Sequence, residues 1–215
     1  VRLIAKQQNL ITAEKKDSQG LCFVGKVKLP EFLQQKLKVK KGKVILISKN
    51  NEIFNSVSDP NDFSVQNLKL MSNPYNYSID NGSVIGNHDG AHFFTIGQRK
   101  GLAIGGTKEP LFVIGTDVVN NLVYVGEGKN HPGLYRKVLF VLEKNFHRLR
   151  EDYDYTDSKL FDTRIRYRQP LQKSQLVFTE NGTFFIFDKP QSSITKGQFV
   201  VWYNGDELIG SGVID

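Results

Sequence analysis

One cysteine, Cys22, stands alone among 215 residues, so no internal disulfide can form. The amino end also lacks the basic, apolar, small-residue order of a secretory signal, and a reducing cytoplasm is the expected setting. No stretch approaches the roughly 18 consecutive apolar residues of a membrane helix, so a soluble globular protein with no membrane partner is expected. The four histidines, His88, His92, His131 and His147, have no second cysteine or carboxylate cluster at metal-ligand spacing. GNHDGAH places two of them four apart, but in a β-rich context that spacing does not line up one face, and no metal is expected. GQRKGLAIGG has glycines at 97, 101, 105 and 106, yet matches neither the phosphate loop nor the dinucleotide fingerprint. There is no repeat at a solenoid or propeller period and no low-complexity tail.

What is present suffices for a core: 39% of the residues are apolar and 24% charged. The length fits one or two compact units. The net charge of +7 is uneven, because residues 1–50 carry 12 basic and 3 acidic side chains while the remainder is slightly acidic. A local positive patch of that size suits a polyanion such as nucleic acid, and solvated surface lysines give the same count.

Residues Arg2 to Leu10 fit a short amphipathic helix, and LPEFLQQKL fits a second, with Pro30 at a first helical position. From Gly42 onward short β-rich runs alternate with turn residues: KVILIS, SVIGN, LFVIGTDV, NLVYVGEG, KVLFVLE, KLFDTRIRY, QLVFTE, TFFIFD, QFVVWY and ELIGSGVI. That spacing predicts β-barrels or sandwiches. VVNNLVYV and TENGTFF predict hairpins about Asn-containing corners. Residues 56–82 are weakly periodic and rich in Asn, Ser and Pro, which predicts a long loop without an assigned role. A break at NHPGLYRK separates two β-rich portions. The divisions are 1–41, then 42–133, then 134–215.

Cys22 sits in DSQGLCFVG between Lys15, Lys16, Lys26 and Lys28. A buried cysteine acting as a small hydrophobe is one reading. The other is a nucleophile, because neighbouring positive charge lowers a thiol's pKa and raises its thiolate fraction. Arg99 and Lys100, in the glycine-rich loop, fit either phosphate contact or a solvated turn. Arg164, Arg166 and Arg168 alternate in RIRYRQP, so a strand would project all three guanidinium groups from one face and Tyr167 from the other. Such a ladder needs anions, supplied by phosphate or by carboxylates on neighbouring strands.

Taken in order, KKDSQGLCFVG, HFFTIGQRKGLAIGG, GKNHPGL, RIRYRQP and ITKGQFVVWYNGDELIGSGVI closely resemble the tRNA-specific 2-thiouridylases of the MnmA (TrmU) type. The resemblance covers nearly the whole chain and is weakest over 56–82. It implies a mainly β fold: a small central β-rich domain with short amino-terminal helices, followed by a carboxy-terminal β-barrel like that of translation factors. It also implies a preceding nucleotide-binding domain whose last helix would be Val1 to Leu10. No SGGxDS-type loop occurs in the chain, so ATP, the family's co-substrate, would bind elsewhere. The family's second cysteine would lie there as well, and the 215 residues alone are expected to be inactive.

The resemblance further implies that Cys22 carries sulfur as a persulfide received from a donor protein. That sulfur would replace the adenylated C2 oxygen of the wobble uridine in tRNAs for Lys, Glu and Gln. Arg166, Tyr167 and Gln198 match tRNA-contacting positions, with Arg164, Arg168 and Gln169 as neighbours. Some members carry an older methyltransferase name, but no glycine-rich loop between a strand and a helix is present here for S-adenosylmethionine. The alternative is a free-standing RNA-binding β module without catalysis, which would need no thiol at Cys22.

Overall fold

The computed structural model describes residues 2–15, 38–55, 59, 61–150, 152–155, 160–167 and 169–215. Cys22 with its motif, the LPEFLQQKL segment and Arg168 lie outside the described residues. Contacts divide the chain into two compact units, Val1–Val39 and Lys40–Asp215. In the first, α1 spans Arg2–Gln7. It ends where Asn9 adopts φ +54°. There the amide of Leu10 donates to Ala5 O (2.9 Å) and that of Asn9 to Lys6 O (3.0 Å). This paired closure satisfies the last carbonyls, and asparagine tolerates the left-handed conformation it requires.

The second unit opens with a four-stranded sheet. Its strands are β1 (Gly42–Ile47), β2 (Ser83–His88), β3 (Leu111–Asp117) and β4 (Leu122–Glu127). They lie in the order β2-β1-β4-β3, with β1 parallel to β4 and the other pairs antiparallel. Near-continuous apolar runs fit a sheet covered on both faces. Val44, Val113, Val123 and Val125 pack on Ala91, Leu102 and Leu111. Ile45, Ile47, Ile114 and Tyr124 pack with Leu134 on another cluster. The β3–β4 hairpin forms as expected, closed by Asn121 at φ +56°.

Residues 56–82 are not a featureless loop: among the described ones, α2 spans Val65–Ser72. Ser64 caps it, its hydroxyl accepting from the amide of Asn67 (3.3 Å). Leu68 is fully buried with Val138, Phe184 and Ile186 of the barrel, and Met71 packs beside it. Two apolar positions three apart carry too little periodicity to read as a helix; the partner surface decides.

A single turn of 3₁₀ helix, Pro132–Leu134, leads into β5 (Tyr135–Arg148). Then come β6 (Leu160–Arg164), β7 (Gln172–Thr179), β8 (Gly182–Ser192), β9 (Phe199–Asn204) and β10 (Glu207–Ile214). They close an antiparallel six-stranded barrel in the order β10-β5-β8-β7-β6-β9, and a barrel was expected for the carboxy-terminal part. Its core holds Trp202, Phe146, Phe161, Phe185 and Phe187. Phe146 and Trp202 stack with centroids 4.6 Å apart. Gly210 is small for a reason: a β-carbon there would come within 2.2 Å of the Trp202 ring. The β7–β8 hairpin also forms, with Glu180 and Asn181 as its corner and Thr179 paired to Gly182.

The arginine ladder does not form. β6 ends at Arg164, so Arg166 no longer continues an alternating strand face. The amide of Ile165 donates to Gln169 Oε1 (3.2 Å), and that of Gln169 to Arg166 O (3.1 Å). These bonds turn the chain before Pro170, which has no N–H to offer a ladder.

Candidate nucleic-acid interface

The four-residue pattern Thr-x-Gly-Gln occurs twice, and both copies fold alike. In Thr95–Gln98 the amide of Gln98 donates to Thr95 O (3.0 Å), that of Gly97 to Val113 O (2.7 Å), and Val113 N returns a bond to Gln98 O (2.9 Å). In Thr195–Gln198 the corresponding bonds are Gln198 N to Thr195 O (3.3 Å), Gly197 N to Ile214 O (2.8 Å) and Ile214 N to Gln198 O (2.9 Å). Gly97 and Gly197 have φ of +84° and +85°, the left-handed region a turn with glycine in third position requires. One turn therefore docks on β3 of the sheet and its twin on β10 of the barrel. The sequence reading missed this correspondence, although the repeated letters were there to be read.

The two glutamines differ in use. Gln98 closes its own turn: Oε1 accepts from Thr95 N (3.1 Å) and Nε2 donates to Lys100 O (2.8 Å). Gln198 Oε1 is buried with no hydrogen-bond partner. A buried amide oxygen without a donor is costly and calls for a functional reason.

The turns are coupled through Ser193. A β-carbon at Gly97 would lie 2.2 Å from Ser193 Oγ, so the central turn packs directly on the barrel loop. Ser193 has φ +56°, and its amide donates to Leu134 O (2.6 Å). Its carbonyl accepts from Arg166 Nη2 and from Thr195 Oγ1 (3.0 Å). The next carbonyl, Ile194 O, accepts from Arg136 Nη2 (2.6 Å), while Arg136 Nη1 donates to Ser72 O. Two guanidinium groups thus hold consecutive carbonyls of one loop. Burial lowers the Arg136 pKa to about 10 and also pulls Arg166 below its usual value.

The expected site residues fall around this junction. Arg164 lies on β6, opposite Val201 of β9, and its Nε is buried without a hydrogen-bond partner. Arg166 reaches Ser193 O, and Tyr167 is 83% exposed in the turn after β6. Gln169 joins the same loop, its Nε2 donating to Gln191 Oε1 (2.8 Å). Arg99 and Lys100 are exposed and follow Gly97 by two and three residues. Arg99 and the loop 101–111 border an open cleft of about 590 Å³. Of the carboxylates that could have bound the arginines, Asp162 pairs with Lys173 (2.9 Å). Among the described residues no group of three or more His, Asp or Glu side chains could hold a metal ion, and no helix is long and apolar enough to cross a membrane.

A four-stranded sheet and a closed six-stranded barrel meet at this junction, where Arg136 and Arg166 hold the loop before the second turn. Residues 73–127 match the tRNA methyl transferase PRC-barrel domain, 136–214 the aminomethyltransferase beta-barrel domain, and 1–26 the tRNA methyl transferase HUP domain. Two tRNA-specific 2-thiouridylases, from Christiangramia forsetii and Flavobacterium johnsoniae, are each 54% identical across the whole chain, which covers 55% of each. Another, from Halalkalibacterium halodurans, is 38% identical, again across the whole chain, with 48% of its length covered. Over its whole length the chain is similar to tRNA-specific 2-thiouridylases of the MnmA type. It spans about half the length of the curated relatives it matches.

Proposed function

We propose that the protein to which this chain belongs is a tRNA 2-thiouridylase, a sulfurtransferase acting on the wobble uridine. The observation that carries this reading is the 54% identity, over every part of the chain, to proteins bearing that name. Residues 1–41, 42–133 and 134–215 then serve as the catalytic-cysteine segment, the central domain and the carboxy-terminal barrel. Cys22 takes up sulfane sulfur from a persulfide-bearing donor protein. Its terminal sulfur attacks the uridine C2, and the activated C2 oxygen departs with its activating group. The family's second cysteine then attacks the Cys22 sulfur, so that the S–S bond breaks, the thiolated base is released and the two cysteines are left as a disulfide. A thiolate accepts sulfane sulfur readily and its persulfide is a good nucleophile. Activation of the C2 oxygen by ATP falls to a nucleotide-binding domain of the family type, and no step of the residues described here runs through ATP. The cell compartment is the cytoplasm, and the substrates are the tRNAs for Lys, Glu and Gln.

The barrel's part is to hold tRNA. The unpartnered Gln198 Oε1, the exposed Tyr167 and the cations Arg164, Arg99 and Lys100 supply hydrogen bonding, stacking and phosphate contact. Arg166, fixed to Ser193 O, positions the loop that carries Gln198 as well as facing solvent. Arg168 and Gln169 complete the segment.

The deciding experiment loads the full-length protein with a persulfide donor, maps the adduct by mass spectrometry and measures tRNA thiolation. The expected result is sulfur on Cys22 and loss of thiolation in Cys22→Ser. Normal thiolation by Cys22→Ser overturns the reading and leaves an RNA-binding module. The isolated 215 residues, given ATP, tRNA and a sulfur source, are expected to thiolate nothing.

A further inference from the structure

Phe199 is the first residue of β9, immediately after Gln198, and 61% of it is exposed. Strand alternation accounts for its direction: Val200 and Trp202 are fully buried in the barrel, which sends Phe199, Val201 and Tyr203 to the outer face. It does not account for a phenylalanine there. Phe63 and Tyr167 are exposed aromatics as well, but neither lies on a strand, while exposed aliphatic side chains such as Val119 and Leu149 lie at turns or strand ends, as single surface apolar residues commonly do. Phe199 is instead a wide aromatic ring on a paired strand of a closed barrel.

Its surroundings are cationic. Arg164 pairs with Val201, one diagonal step from Phe199 across the β6–β9 ladder, with its Nε buried and unpartnered. Lys196 lies three residues before Phe199, paired with Asp215 (2.9 Å) in an exposed contact that contributes little. A ring bordered by a guanidinium group and an amide suits a polyanion with π faces, which is RNA.

We infer that Phe199 is a base-stacking residue, forming with Arg164 a platform on the outer face of the barrel for an unpaired nucleotide of bound tRNA. The inference rests on the tRNA reading above and adds a contact to it. Stacking accepts any base, so the platform adds affinity without choosing sequence.

The test uses the full-length protein and a tRNA transcript. Phe199→Ala is expected to weaken binding about tenfold, with no change in the slope of log K against log salt, since a neutral ring releases no counterions. Phe199→Trp is expected to bind as the parent does and to gain an emission signal that tRNA quenches. The thermal midpoint should stay unchanged in both variants. Unaltered binding by Phe199→Ala, or unquenched emission from Phe199→Trp at saturating tRNA, overturns the platform while leaving the tRNA reading intact. Loss of binding with a fall in thermal midpoint, unrescued by Phe199→Trp, makes Phe199 a packing residue and likewise overturns it. Failure of the parent protein to bind tRNA overturns the tRNA reading itself. Val119→Ala, on the β3–β4 hairpin, is the control expected to change nothing.

Discussion

The turns Thr95–Gln98 and Thr195–Gln198 share a sequence pattern, a glycine conformation and a hydrogen-bonding scheme, yet their surroundings give them different work. The turn on the sheet is closed on itself and pressed against Ser193. Its twin on the barrel leaves an amide oxygen without a partner and has open space around its glycine. Local sequence fixes the shape of such a turn, while packing decides whether it acts as a brace or as a contact.

The sharpest way to break this symmetry is at the two glycines. Gly97→Ala combines a left-handed alanine with a clash against the Ser193 hydroxyl, and is expected to cost about 3 to 4 kcal/mol. Gly197→Ala meets no atom within 4 Å, leaving only the backbone strain of roughly 1 kcal/mol. Denaturant titration of both variants checks the difference, and equal losses would refute the bracing role. Ser193→Gly in the Gly97→Ala background should restore part of the loss, because it removes the clashing hydroxyl and relieves its own positive φ.

Arg136→Met removes the donor to Ile194 O and to Ser72 O, leaving two inward carbonyls unpaired. A loss of about 2 to 3 kcal/mol is expected. Hydrogen exchange should rise first at Ser193 to Gln198, the loop of the barrel turn, with the turn at Thr95 to Gln98 less affected.

Acid should separate the same two regions. Burial lowers the pKa of His88 in β2 and of His131 before β5 below the ordinary 6.5. The unfolded chain therefore takes up these protons first on acidification. Their contribution to stability is complete above about pH 6.5 and is lost as pH falls toward and through the folded values. His131 Nε2 lies 3.1 Å from Ile47 O, and its Nδ1 accepts from Gly133 N (3.2 Å), so protonation breaks that acceptance directly. Amide exchange between about pH 7 and pH 5, corrected for its intrinsic pH dependence, should accelerate more in β1 and β4 than in β7 and β8. Equal acceleration would count against a histidine origin.

The smallest stability effects should come from the glutamines, with the clearest division of roles. Gln98→Ala loses two hydrogen bonds and is expected to cost about 1 kcal/mol with little change in tRNA affinity. Gln198→Ala should leave stability within about 0.5 kcal/mol and weaken tRNA binding severalfold. The reverse pattern would show that the unpartnered amide oxygen is not where RNA is met.

Much of the architecture was legible before any coordinates. Strand runs from β1 to β10 and both hairpins follow from period-two alternation and turn residues, which are local properties of a chain, whereas that pattern alone fits a sandwich as well as a barrel and the closed barrel was implied by the family resemblance. The helix α2 was not legible, because Leu68 gains its burial only from Val138, Phe184 and Ile186 far along the sequence. The arginine ladder was read wrongly for a similar reason. RIRYRQP alternates as a strand should, but the Gln169 side chain takes the amide of Ile165 and ends the strand, and nothing in the alternation reveals that competition.

The candidate site divides along the same line. The alternating arginines and the cations Arg99 and Lys100 were read from residue type and spacing, while Tyr167 and Gln198, with Arg166, were selected by resemblance to family motifs. Only the tertiary structure separated their duties. It attached Arg166 to Ser193 O, closed Gln98 on itself and left Gln198 Oε1 without a donor. The reason is physical. Which donor meets which acceptor depends on distances of about 3 Å between residues remote in sequence, and those are set when the sheet and the barrel pack together.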